Sequence, residues 1–188
     1  KDPLFTQDSY LAPLFQASNR DDTLHILPEA VLQLHEKDYQ ALQNDSAFKH
    51  SIVGSIVENN GRIYQSALGF NQVDGRYDKR HLVPFGEYIP GLAYVPWLQK
   101  SLENAFGYSS ITPGDTHTVF TFKSNRFLPM ICYDVFFPLA GQPLLSADKL
   151  LVLAENAWYK NSYLQTLLLR ASQMRAMESG KPLALVSN

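Results

Sequence analysis

The chain has 188 residues, with 16 lysines and arginines against 18 aspartates and glutamates, one cysteine and 45% hydrophobic residues. That length suits a single domain, and the apolar content excludes general disorder. A net charge of −2 excludes nucleic-acid binding through bulk positive charge, one cysteine excludes an internal disulfide framework, and no apolar run reaches the ~18 residues that span a bilayer.

Thr6–Ser18 reads as an amphipathic helix, with Leu11, Leu14 and Phe15 on one stripe. Thr23–Leu27 reads as a short strand ended by Pro28. Glu29–Leu42 then has helical periodicity through Val31, Leu34, Tyr39 and Leu42. His50–Glu58 and Arg62–Phe70 are strand-like runs around Asn60-Gly61, a hairpin signal because both turn residues need positive φ. Tyr77–Val83 is extended, and Pro84–Pro90 is a loop bracketed by prolines. Pro96–Phe106 reads as a short helix with Pro96 near its start. Thr116–Phe122 alternates as a strand, and Phe127–Tyr133 reads as a buried strand delivering Cys132, Tyr133 and Asp134 to its end. Pro138–Leu145 is a helix candidate and Lys149–Ala154 an apolar strand. Tyr163–Ser179 is the clearest helix, closed by Gly180, and Pro182–Ser187 is a final strand. Alternating strands and helices predict a layered α/β domain.

Common catalytic signatures are missing: there is no G-x-S-x-G elbow, no G-x-x-x-x-G-K-[ST] loop and no G-x-G-x-x-G. His25, His35, His50, His81 and His117 do not pair at ligand spacing, so neither a metal nor another cofactor is expected. Cys132 at a strand end is either a buried structural cysteine or a nucleophile, and the second role needs a base or cation beside it. Glu29 follows a strand directly; it serves either as that base or as an acid at a helix N-terminus. Lys79 is either the cation or an exposed strand charge. The gaps of 50 and 53 residues between the three (79 − 29 and 132 − 79) leave room for one supersecondary unit each, so all three can converge on one sheet edge.

Three segments carry a resemblance: Leu27-Pro28-Glu29, the long run Tyr77-Asp-Lys79-Arg-His-Leu-Val-Pro-Phe-Gly-Glu87-Tyr88, and Met130-Ile-Cys132-Tyr133-Asp134. Together they resemble the carbon–nitrogen hydrolase, or nitrilase, superfamily. The middle run narrows this to the branch that N-acylates bacterial apolipoproteins. Pro113-Gly-Asp115, Glu155-Asn-Ala-Trp158-Tyr and Gln173 to Pro182 fit the same pattern, so the resemblance covers roughly Ile26 to Asn188. Departures are Asp134, where that branch carries Glu, Tyr159-Lys160 in place of Phe-Gly, and Gln165-Thr166 in place of Gln-His. They leave the triad residues intact.

The resemblance implies a four-layer αββα nitrilase-like sandwich, incomplete at both ends, forming most of the catalytic domain of a larger membrane protein. It implies Glu29 as general base, Lys79 as oxyanion stabiliser and Cys132 as nucleophile, with Glu87, Asp134 and Tyr133 supporting. Asp134 is expected on the same strand face as Cys132, because i and i+2 share a face. The implied partners are a phospholipid acyl donor, an apolipoprotein acceptor and the membrane, with no nucleic acid. The implied place is the bacterial inner membrane, catalytic side towards the periplasm. The apolar, proline-stiffened run Tyr88–Leu98 suits a lipid-facing lid carrying Tyr88, Ile89, Leu92, Tyr94 and Trp97. An amidase acting on small amides, a divergent relative from a conjugation system, or a non-enzymatic module on the same frame are the alternatives.

Overall fold

The computed structural model describes residues 22–45, 48–95, 97–98, 101, 110–139, 141–157 and 162–188. The helix expected at Thr6–Ser18, most of that at Pro96–Phe106, and Trp158 and Tyr159 lie outside the described residues. Eight strands are described: β1 (His25–His35), β2 (Ser51–Asn59), β3 (Arg62–Phe70), β4 (Arg76–Asp78), β5 (Phe120–Phe122), β6 (Asn125–Ile131), β7 (Lys149–Ala154) and β8 (Leu183–Ser187). The α-helices are α1 (Glu36–Leu42), α2 (Gln142–Ser146) and α3 (Tyr163–Ser179).

The strands form two four-stranded sheets, ordered β1-β2-β3-β4 and β5-β6-β7-β8. In the first, β1 and β2 are parallel and the rest antiparallel. In the second, β5 and β6 are antiparallel and β6, β7 and β8 parallel. Three separate apolar cores lie between the layers. Leu32, Val53, Leu68 and Phe70 of the first sheet pack under Tyr39 of α1. Ile52, Ala67 and Tyr77 meet Phe120, Ile131, Leu151 and Leu153 between the sheets. Leu128, Met130, Leu150 and Val152 pack under Leu168 and Ala171 of α3. Three cores between four layers make the αββα sandwich. The unbroken apolar run of β7 follows, since alternate residues face the other sheet and α3 and both faces are dry. Each such leucine stabilises the fold by roughly 1.5–3 kcal/mol.

The Asn60-Gly61 hairpin forms as expected, with φ of 51° and 75° and Asn59 paired to Arg62. β7 and α3 coincide with their predicted bounds. Several bounds change: only Tyr77 and Asp78 of the extended run pair, in a strand that begins one residue earlier at Arg76, β5 begins at Phe120, and α2 begins at Gln142.

The first strand is a correction. It does not stop at Pro28; it continues to His35, and the helix starts only at Glu36. Leu27 pairs with Val53, but Leu32 pairs with Ser55. Five steps on β1 against two on β2 leave three residues looped out. Pro28 has no N–H to give the ladder, so it marks a bulge inside a strand and not an end. Ala30 inside the bulge takes φ 59°. Gly54 on β2 makes room: a Cβ there would sit 2.1 Å from the Pro28 carbonyl oxygen and 2.6 Å from the Glu29 Cα. Glu29 is therefore offered by a bulge, not by a helix terminus.

Candidate active site

The bulge turns Glu29 inward, where it is only 4% exposed. Its Oε2 accepts from the Glu155 backbone N–H at 3.0 Å, just past β7. Its Oε1 lies 3.3 Å from Lys79 Nζ. Lys79 follows β4 directly, and its backbone is pinned on both sides: its N–H donates to Gln65 O at 2.8 Å and its carbonyl accepts from Gly114 N–H at 2.9 Å. Gly114 must be glycine for that approach, because a Cβ would fall 2.3 Å from the Asp78 carbonyl oxygen.

The Lys79 side chain is wholly buried. Nζ donates to Glu87 Oε1 at 2.5 Å and Gln65 Oε1 at 3.0 Å, besides Glu29. All three donors of the ammonium are thus engaged. Glu87 is fixed in its turn by accepting from Val83 N–H at 2.8 Å. Burial opposes the charge on Lys79, but Glu29 and Glu87 outweigh it and hold the ammonium above its ordinary pKa. Glu29 is pushed up, because burial outweighs the pull of Lys79.

Cys132 stands at the end of β6, where the chain leaves the sheet with φ 46° at the cysteine. That left-handed backbone costs a non-glycine residue about 1–3 kcal/mol and is the kind of strain that functional turns retain. The thiol feels the charges of Glu29, Lys79 and Glu87. Burial and then the Glu29 charge push it up to about 12. Cys132, Glu29 and Glu87 share a cavity of about 540 Å³ with Gln65, Val83 and Glu155. On its other side Cys132 lines an apolar cavity of about 410 Å³, with Tyr133, Phe136, Leu164 and Leu167.

Asp134 is a second correction. The chain from Cys132 to Phe136 is a 3₁₀ turn, not strand, so Asp134 does not share a strand face with the cysteine. Its carboxylate folds back and accepts from Ile131 N–H (3.1 Å), Tyr77 Oη (2.8 Å), His81 N–H (2.8 Å) and His81 Nδ1 (3.0 Å). Burial works against the charge, and these donors overcome it and hold Asp134 below the usual carboxylate range. Asp134 thereby ties the cysteine turn to the segment beside Lys79.

Tyr133 is half-buried with its ring against Phe136 and Phe137. Of the lid candidates, Tyr94 and Trp97 are 90% and 71% exposed, Tyr88 and Ile89 are half-buried, and Leu92 is buried. Three contributors escape the sequence reading: Gln65, the Glu155 N–H and Gly54. Only Gly54 leaves a trace, since a glycine within a strand signals a bulge or close backbone approach.

A thiol beside a buried carboxylate and a fully bonded ammonium is a set of groups suited to acyl transfer through a thioester. A family model, carbon-nitrogen hydrolase, matches residues 16–188. Among curated proteins, the apolipoprotein N-acyltransferase of Haemophilus ducreyi is 31% identical over 93% of this chain and 38% of its own length. That of Haemophilus influenzae is 29% identical over 88% of this chain and 35% of its length. This chain therefore spans well under half of these relatives. Among solved structures, Saccharomyces cerevisiae Nit3, a nitrilase-superfamily member, covers the whole chain and 71% of its own at 17% identity and TM-score 0.64. A Xanthomonas campestris CN-hydrolase superfamily protein with an arsenic adduct in its active site covers 99% of this chain and 70% of its own, at 23% identity and TM-score 0.60. With the sandwich and the family match both in hand, the chain belongs to the carbon–nitrogen hydrolase family.

Proposed function

We propose that the protein moves an acyl chain from a phospholipid to the N-terminal diacylglyceryl-cysteine of apolipoproteins through a Cys132 thioester. The observation that supports this best is that Cys132 lines both the cavity holding Glu29, Gln65 and Glu87 and an apolar cavity of about 410 Å³. The names of the curated relatives point the same way. Among the described residues no helix is long and apolar enough to cross a membrane; work at the bacterial inner membrane, facing the periplasm, is part of the proposal.

The thiol is protonated at rest, so Glu29 removes its proton as Sγ attacks the ester carbonyl carbon. A carboxylate pushed up by burial is a stronger base for this step than an ordinary one. The charge of Lys79 and the Tyr133 backbone N–H stabilise the oxyanion of the tetrahedral intermediate. The carbon–oxygen bond breaks, and the lysophospholipid leaves with the proton that Glu29 returns. The acceptor amine then attacks the thioester carbon, the carbon–sulfur bond breaks, and Glu29 passes the amine proton to the departing sulfur. Glu87 orients Lys79 throughout, and Tyr94 and Trp97 contact lipid.

Mass spectrometry of the intact protein after incubation with phospholipid tests this reading. An acyl adduct on Cys132, absent in Cys132→Ala and discharged by a diacylglyceryl-cysteine peptide, is the expected result. No adduct, together with turnover of small amides, would select an amidase instead.

A further inference from the structure

A third cavity, of about 460 Å³, adjoins the one that holds Glu29. The apolar and reactive cavities share Val83 and Cys132. The reactive and third cavities share Ile111. The third is walled by Tyr88, Ile89, Leu92 and Phe137, with Arg80 and His81 as its basic members. The three therefore run in the order apolar, reactive, basic. A phospholipid presents its tail, its ester and its phosphate in that same order.

Arg80 has no carboxylate partner among the described residues. Its Nη1 donates to His117 Nε2, and its buried Nε has no hydrogen-bond partner among the described residues. That donation requires a neutral imidazole; burial and the Arg80 charge itself hold His117 below its ordinary range. Asp134, the acid bound to neighbouring His81, already accepts four hydrogen bonds. Arg80 thus brings to a cavity wall a guanidinium with no ion pair among the described residues, and a guanidinium is the side chain best matched to phosphate oxygens. The reactive cavity, lined by Glu29, Glu87 and Glu155, repels an anion and favours the Arg80 side for it.

We infer that the Arg80 cavity is a phosphodiester subsite, holding the headgroup phosphate of the acyl donor while its ester lies at Cys132. The inference rests on the acyl-transfer reading and deepens it. Arg80 is a specificity-determining residue here, not part of the bond-making machinery.

The test compares acyl-Cys132 formation from phosphatidylethanolamine and from diacylglycerol with the same chains, each in detergent micelles. Wild-type protein should prefer the phosphate-bearing donor. Arg80→Gln should raise the KM for phosphatidylethanolamine about tenfold and leave diacylglycerol use as it was, and Arg80→Lys should restore part of the preference. Equal losses on both donors would make Arg80 a packing residue and overturn the inference. Inhibition of wild-type protein by inorganic phosphate, with no preference between the donors, would assign the cavity to free phosphate and overturn it as well. Acylation of wild-type protein by neither donor would sink the acyl-transfer reading itself, a result separate from both.

Discussion

Glu29 and Asp134 are both buried acids, one carried by the bulge in the first sheet and one by the cysteine turn that follows β6. Burial alone would push both upwards. Glu29 does shift up; Asp134 shifts down. The difference lies in the donors. Asp134 accepts four hydrogen bonds, two of them from backbone N–H groups that cannot move away. Glu29 has one backbone N–H, and shares its ammonium with Glu87 and Gln65. A saturated acid fixes geometry; an under-supplied one retains affinity for a proton and is suited to exchange it.

The largest way to break this contrast is Glu29→Gln. Acyl-enzyme formation should fall about 10³-fold, the scale of a lost general base, read in single-turnover mass spectrometry. In the wild-type protein the acid limb of the rate against pH should sit above 4.5, the ordinary value for Glu. A limb at or below that value would place Glu29 with Asp134 as a structural acid.

Gly54→Ala attacks the bulge that presents Glu29. The new Cβ meets backbone, not a flexible side chain, so a loss of about 3 kcal/mol is expected from overpacking, measured by denaturant unfolding. Asp134→Asn comes next, at about 2 kcal/mol, because an amide cannot accept from all four donors. The sign with pH follows from its lowered folded-state pKa. Asp134 contributes stability above its ordinary 3.8, and that contribution is lost as pH falls through the lower folded value. The Asn variant should lack this acid-side loss. Tyr77→Phe removes one donor only. It should cost about 1 kcal/mol and move the acid-side loss to higher pH in the same unfolding series.

Much of the frame is legible from residue patterns. The hairpin shows through Asn60-Gly61, and β7 and α3 show through unbroken apolarity and a glycine stop. The Glu29 segment misleads for a physical reason. Leu32 and Leu34 satisfy a strand period, while Val31, Leu34 and Tyr39 satisfy a helical one, and Pro28 ends an ordinary strand. Only pairing with β2 across Gly54 decides between them, and that contact is not local. Asp134 misleads similarly, because its direction depends on donors supplied by Tyr77 and His81, more than fifty residues away. Arg80 appears as an anonymous charge until three dimensions place it on a cavity wall with no acid partner among the described residues.

The raised thiol at Cys132 has a further chemical consequence. A sulfhydryl that ionises only near pH 12 is almost wholly protonated at neutral pH, and alkylating agents and peroxides consume the thiolate. The nucleophile is therefore shielded from stray electrophiles until a carbonyl arrives to take up the electrons as Glu29 takes the proton. Iodoacetamide should label the resting protein far more slowly than it labels free cysteine, which makes the chemistry of the site silent between turnovers.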